Sequence, residues 1–290
     1  MAKIALIFDF DLTLSPYFAQ KVMLDKWGVD ENEFWKLCSA KVSEENYDLE
    51  HGYIKVILEY MEENSSFKLS NNDLYALGKQ ITLYDGLTRK NNVVSIFDEI
   101  EAILNDSKYN KLNIEFECYV ISGGLAPMIE GAIEANNLSK YFKQIFACRM
   151  NENKDGYIDF PKETVGHTIK TQKLFMIAKG LEHNVNEKID NYIIPFENMI
   201  YLGDGQTDIP AFSLINKMGG KSLAVYRVVK DKNGTIDEQK TEENYKKIHQ
   251  YTLKTNRVLE LLPADYSQNQ PLRNKIIEYV KEIADAIKRQ

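Results

Sequence analysis

The 290 residues suffice for one large domain, or for a core domain with a smaller one attached. A composition of 44% hydrophobic and 27% charged residues is that of an ordinary globular protein, and a formal charge of −7 argues against nucleic acid as a partner, because neutralising phosphates needs a basic surface. No apolar stretch reaches membrane-spanning length, and the apolar run that opens the chain leaves no room for a signal peptide, so a cytoplasmic protein without a membrane partner is expected. Cys38, Cys118 and Cys148 lack metal-ligand spacing and are expected to be reduced core residues.

The first element is the run Ala5 to Phe8, which has no polar alternation and is predicted to be a buried parallel strand. It ends in Asp9-Phe10-Asp11-Leu12-Thr13, two carboxylates two residues apart where the strand runs out. Asp is also a common turn residue, so this stretch alone, though it favours a functional pair, leaves a strand followed by a turn open. From Ser15-Pro16 to residue 83 no convincing strand follows. Leu49, Tyr53, Val56, Ile57 and Tyr60 recur at helical spacing and predict a helix over 45–62, and Ser70 to Asp73 resembles a capping box opening a helix to about Ile81. The aromatic residues Tyr17, Phe18, Trp27, Phe34 and Trp35 are read as core rather than pocket lining. Residues 15–84 are therefore expected to form a small all-helical insertion.

Tyr84-Asp-Gly-Leu87 marks a turn back to the main domain, and a helix is predicted from Val93 to Leu104. A strand over Ile114–Ile121 ends in Ser122-Gly123-Gly124, and Pro127 sits in the first turn of a helix to about Asn136. This strand–Gly loop–helix unit offers free backbone N–H groups to an anion. A further strand is predicted over Gln144–Arg149, with a hairpin over 145–160; the acidic turn within it lacks EF-hand spacing. Lys170 precedes a helix with Leu174, Ile177, Ala178 and Leu181 on one face. Another short strand, Met199–Leu202, ends in Gly203-Asp204-Gly205-Gln206-Thr207-Asp208, and Pro210 again opens a helix. Ser222–Val229 is predicted as the last strand, Lys230–Lys247 as a charged loop, and 272–289 as a closing helix.

Strands alternating with helices imply a mainly parallel sheet in a Rossmann-like α/β fold, where ligands bind outside the carboxyl ends of the strands. Asp9, Asp11, Ser122, Asp204 and Asp208 all fall at such ends. Carboxylates packed together repel unless a cation joins them, and an oxygen-only set without His or Cys suits Mg²⁺. The Gly-rich turns free N–H groups for an anion, and a lysine would complete a phosphate site. Lys170 is preferred, since a cation beside a helix N-terminus needs a partner; Lys173 is the fallback.

These motifs resemble the haloacid dehalogenase (HAD) superfamily of phosphotransferases, in its phosphoserine-phosphatase-like branch. Asp9-Phe10-Asp11-Leu12-Thr13 is similar to its first motif, Ser122-Gly123-Gly124 to its second, Lys170 to the less distinctive third, and Gly203 to Asp208 to its fourth. The resemblance implies a HAD-like core of residues 1–14 and 85–290, with a helical cap of the C1 type at 15–84. It implies Asp9 as nucleophile, Asp11 as acid and base, and Mg²⁺ held by Asp9, the Asp11 carbonyl and Asp204, with Asp208 a further ligand or an orienting group. Ser122, Gly123 and Lys170 would bind the phosphoryl oxygens, and Thr13, Gly203 and Gly205 would support the loops. An Asp at position 11, rather than the Thr of ion-pumping ATPases, implies a phosphatase acting on a small phosphorylated metabolite. A phosphotransferase or phosphomutase, or a non-catalytic phosphate-binding protein, remains the alternative.

Overall fold

The computed structural model describes residues 2–90, 93–231 and 234–289. In chain order the elements are β1 (Lys3–Phe8), α1 (Gln20–Trp27), α2 (Glu31–Ser43), α3 (Leu49–Glu63), α4 (Asn71–Gly78), α5 (Ile96–Leu104) and β2 (Glu115–Leu125). There follow α6 (Ala126–Ala135), β3 (Phe142–Glu152), β4 (Ile158–Glu163), α7 (His167–Lys179), β5 (Met199–Gly203) and α8 (Ile209–Lys217). The chain closes with β6 (Lys221–Tyr226), α9 (Glu238–His249), β7 (Glu260–Pro263) and α10 (Pro271–Arg289). Among the described residues no helix is long and apolar enough to cross a membrane.

The strands form one sheet in the order β4-β3-β2-β1-β5-β6-β7, parallel except for the β3–β4 hairpin. The apolar run at the N-terminus explains the central place of β1. Ile4, Leu6 and Phe8 are buried in one face of the core, and Ala5 and Ile7 in the other. A strand with no polar face can only lie where helices cover both sides. Each Leu, Ile or Phe so buried contributes about 1.5–3 kcal/mol, which fixes the register against a one-residue slip. That register sets Phe8 beside Val120 of β2 and Leu202 of β5, so all three strands run out at the same edge.

Residues 17–83 contain helices and no strand, as the sequence predicts. The helix expected over 45–62 begins only at Leu49, because Asn46 adopts a left-handed conformation at φ 61°. The expected capping box is present, with Ser70 and Asp73 bonding each other's backbone. The apolar side chains of this segment share one continuous core with Ile4, Leu6 and Phe8. Trp27 and Phe34 are core, as expected; Tyr17 is half-buried and Phe18 is 36% exposed, so these two are not.

The chain's exit to the helical segment and its return lie side by side. Tyr84 donates its N–H to the Leu14 carbonyl at 2.9 Å, and the Tyr266 N–H bonds the Asp85 carbonyl at 3.1 Å. Tyr266 Oη also donates to the Thr13 carbonyl at 2.9 Å, while Arg273 of α10 donates to the Tyr266 carbonyl at 3.1 Å. The C-terminal helix thereby holds the loop that follows β1.

Three parts of the fold differ from the sequence expectation. Lys230–Lys247 is not a loop throughout: α9 covers Glu238–His249, capped by the Asp237 side chain, which accepts the Lys240 N–H at 3.0 Å. Its apolar contribution is small, Tyr245 and Ile248 packing against the second core, too little to register as periodicity. β6 ends at Tyr226 rather than Val229, and a further strand, β7, follows it. Ser122 to Gly124 is not a free loop but an irregular continuation of β2, whose pairing with β3 shifts between Ile121 and Leu125.

Gly86 sits at φ 88°, and a Cβ there would lie 1.9 Å from the Tyr266 carbonyl oxygen. Gly86→Ala should therefore cost more than the roughly 1–3 kcal/mol of backbone strain alone. A urea midpoint unchanged in the variant would contradict the turn geometry.

Candidate active site

Asp9 is the first residue beyond β1, and its N–H donates to the Leu202 carbonyl of β5 at 2.8 Å, continuing the ladder past the strand's formal end. Its carboxylate turns inward and is only 5% exposed. Oδ1 accepts the Phe10 N–H at 2.6 Å, and Oδ2 accepts from Lys170 Nζ at 2.7 Å. Lys170 lies within the first turn of α7 rather than before it, and is 1% exposed. Its ammonium also donates to Asp208 Oδ1 at 2.7 Å. A cation at this helix end, disfavoured by the dipole, is held by two carboxylates. Burial lowers the Lys170 pKa, but Asp208 and Asp9 together outweigh it and raise the net value.

Lys173, the fallback lysine, points elsewhere: it pairs with Glu163 at 2.7 Å and lies over the Phe146 ring.

Asp204 follows β5 and Asp208 opens α8, so both come from the turn at the same sheet edge. Carboxylate oxygens of Asp9, Asp204 and Asp208 lie within 4.8 Å of one another. Asp208 is fully buried; besides Lys170 it accepts from Tyr201 Oη at 2.6 Å and from the Gly205 N–H at 3.3 Å. Asp204 is half-buried and has no hydrogen-bond partner on its carboxylate among the described residues. Gly203 is required by close packing, since a Cβ there would meet the Asp208 carboxylate at 2.3 Å.

Asp11 lies across the loop, its Oδ1 accepting the Ala19 N–H at 2.7 Å. Leu12, between Asp11 and Thr13, takes the left-handed conformation at φ 58°, a strained state for a bulky side chain. Thr13 is fully buried, with no partner on Oγ1 among the described residues. Ser122, in the irregular last part of β2, is 1% exposed and accepts the Gly124 N–H on Oγ at 3.1 Å.

The electrostatics follow from crowding. Burial, then the charge of nearby Asp208, pushes the Asp9 carboxyl above the usual carboxylate range, against the opposing pull of Lys170. Burial and the Asp9 charge raise Asp11 to about 7, despite the Ala19 hydrogen bond. Burial and the charges of Asp9 and Asp208 push Asp204 well up.

Three further residues reach the site that sequence reasoning did not find. Tyr201, inside the apolar strand β5, holds Asp208; a tyrosine in a fully buried strand needs a partner for its hydroxyl, and that was the available signal. Tyr53 of α3 donates to the Gly123 carbonyl at 2.8 Å, which also accepts from Cys148 Sγ at 3.2 Å. Glu50 of α3 is 8% exposed, its carboxylate packed against Gly123 and Gly166. No sequence signal marks these two as facing the sheet edge.

No family model matches the chain. A protein of Borreliella burgdorferi (strain ATCC 35210 / DSM 4680 / CIP 102532 / B31), itself uncharacterised, is 30% identical over 305 residues, covering 96% of either chain. This chain belongs to one family with that protein. Among solved structures, a phosphoserine phosphatase holding a phospho-aspartyl intermediate analogue superposes with a TM-score of 0.54 at 21% identity, over 96% of this chain and 99% of that one. HAD family hydrolase t0658 from Salmonella enterica subsp. enterica serovar Typhi superposes with a TM-score of 0.51 at 18% identity. There 76% of this chain matches 61% of the other, so the chain spans less than two-thirds of that hydrolase. The chain therefore shares its fold with these phosphatase and hydrolase structures.

The raised carboxyls have a consequence for stability. Between the ordinary carboxylate pKa near 4 and the raised folded values, the folded protein binds more protons than the unfolded chain, so their contribution to stability falls as pH rises. In EDTA, Asp204→Asn should therefore be more stable than the parent at pH 8, with the gap closing toward pH 5. A gap in melting temperature that does not change with pH would contradict the repulsion.

Proposed function

We propose that the protein is a Mg²⁺-dependent phosphatase that hydrolyses a small phosphomonoester through an aspartyl-phosphate on Asp9. The observation that carries this is the meeting of Asp9, Lys170, Asp204 and Asp208 at one sheet edge, with Ser122 in the irregular last part of the adjoining strand β2. In this reading residues 15–84 are the cap and the rest the core, with hinges at 14–16 and 84–86, where Tyr84 bonds Leu14. Tyr53, bonded to Gly123, supports a cap seated over the site.

The donor set fits a divalent cation. Its ligand atoms are oxygens alone, and the Asp204 carboxylate has no competing hydrogen bond among the described residues. If Asp11 keeps its proton, Asp9, Asp204 and Asp208 carry three negative charges against one on Lys170, and a 2+ ion balances the remaining two. Asp9 and Asp204 would hold it, with the backbone carbonyl of Asp11. The Asp208 oxygens are committed to Lys170, Tyr201 and Gly205, which favours an orienting role over direct ligation. When bound, Mg²⁺ supplies Lewis-acid stabilisation of the phosphoryl charge and a template for in-line geometry.

The chain's own groups supply the rest. Asp9 attacks phosphorus, and the P–O bond to the leaving alcohol breaks. Asp11, whose pKa is raised to about 7 so that a sizeable fraction carries a proton at neutral pH, gives that proton to the leaving oxygen. The resulting Asp11 carboxylate then takes a proton from the water that attacks phosphorus, releasing phosphate and Asp9. Lys170, already pre-positioned on Asp9, compensates charge on the phosphoryl oxygens, and Ser122 with the neighbouring N–H groups binds them. Helical-segment residues over the site exclude bulk water.

Asp9→Asn should reduce phosphate release from phenyl phosphate to background while leaving the melting transition cooperative. Asp11→Asn should lower kcat by roughly 10²–10⁴-fold. EDTA should abolish activity in the parent and Mg²⁺ restore it, with water as the sole acceptor. Parent-like turnover by Asp9→Asn would overturn the reading.

A further inference from the structure

The acidic cluster opens onto a cavity of about 630 Å³, which Leu12 and Asp204 help to line. Another part of its wall comes from Arg227 and, in and just after α9, from Asn244, Lys247, Ile248, Tyr251 and Thr252, which take no part in the chemistry above. Cavities of roughly 300–1,000 Å³ enclose whole drug-sized ligands, so this one has room well beyond a phosphoryl group.

Its walls are chemically divided. Phe18, Leu49 and Tyr251 are 36%, 48% and 40% exposed, and all three line this cavity. They come from three separate stretches of chain, so their exposed apolar surface meets here by folding and not by sequence neighbourhood. Apolar surface gathered at one opening marks a binding site. Beside it stand Arg227 and Lys247, neither of which has an ion-pair partner among the described residues, whereas Lys21 in the same lining is paired with Asp25 at 2.9 Å. The wall carrying the two free cations is built firmly. Asn244 Nδ2 donates to the Arg227 carbonyl at 3.2 Å, the Val229 N–H donates to Thr241 Oγ1 at 3.0 Å, and Tyr245 packs edge-on against Tyr226. Glu31 also lines the cavity without an ion-pair partner among the described residues, but Arg227 and Lys247 outnumber it, and in a chain of net charge −7 two such cations in one lining form an anion-attracting pole.

We propose that this cavity selects phosphomonoesters whose alcohol part is an apolar ring body bearing a second anionic group, which Arg227 and Lys247 hold. The inference rests on the phosphatase reading of the adjoining site and names the class of substrate it would take. The scissile phosphate would lie at Asp9, the ring between Phe18, Leu49 and Tyr251, and the second anion at the α9 wall. Arg227 and residues 244–252 then act as a specificity element, which the helical segment completes.

The test compares 2-naphthyl phosphate with 6-carboxy-2-naphthyl phosphate. The parent should favour the carboxylated ester by about 10-fold or more in kcat/KM, mainly through KM, with the advantage shrinking as salt rises. In the Arg227→Gln, Lys247→Gln double variant the ratio should fall toward 1, and in Arg227→Lys, Lys247→Arg it should persist. A ratio equal in parent and glutamine variant overturns the proposal. If no aryl phosphate is turned over at all, the phosphatase reading fails, and calorimetric binding of the matching naphthylmethylphosphonates decides the cavity on its own. Tighter binding of the carboxylated phosphonate by the parent, lost in the glutamine variant, upholds it; equal affinities overturn it.

Discussion

A single buried ammonium organises this site. Lys170 is 1% exposed and sits 2.7 Å from carboxylate oxygens of both Asp9 and Asp208. Burying an ion costs several kcal/mol, and the cost is offset only when geometry and hydrogen bonding are both good. Here two carboxylates and the Tyr201 hydroxyl supply that. Removing one partner from such a pair costs about 3–5 kcal/mol, because the charge left behind stays buried. The bridge therefore ties α7 to β1 and to the turn after β5, locking parts of the chain that lie far apart in sequence.

The sheet gives that bridge its setting. β1 is apolar on both faces, so it takes the middle of the sheet, with β2 and β5 as parallel neighbours. Phe8, Val120 and Leu202 lie side by side, and the residues just past them meet without any long loop having to be ordered. The cluster this creates is over-acidic for its size, which raises the carboxyls and leaves the site suited to a cation and to a proton on Asp11. Local strain at Leu12 is carried by the same loop, which Tyr266 and α10 hold from behind.

Much of this was legible in the sequence, for a physical reason. A strand without a polar face that ends in Asp-x-Asp, and another that ends in Gly-Asp-Gly, read directly as sheet-end carboxylates. The lysine was harder. Lys170 and Lys173 are three residues apart and share a helix face, so spacing cannot separate them; only the tertiary partner does, Asp9 for one and Glu163 for the other. The helix α9 was missed because Tyr245 and Ile248 are nearly its whole apolar side, and charged sequence without periodicity reads as loop. The pattern places Tyr17 and Phe18 in the core, yet they line the cavity, because an aromatic residue's period does not say whether the facing wall is protein or open space. Tyr53 and Glu50 reach the site only through the way α3 lies over β2, which no local pattern encodes.

The central claim is that the Asp9 carboxylate becomes covalently attached to phosphorus during turnover. Rapid quenching of the protein with a phosphomonoester and Mg²⁺, followed by borohydride reduction and peptide mass analysis, tests it directly. An acyl phosphate is reduced to an alcohol, so Asp9 should appear as homoserine, dependent on substrate and absent from Asp11. Turnover with no homoserine at position 9, or with the modification at another residue, would contradict the account.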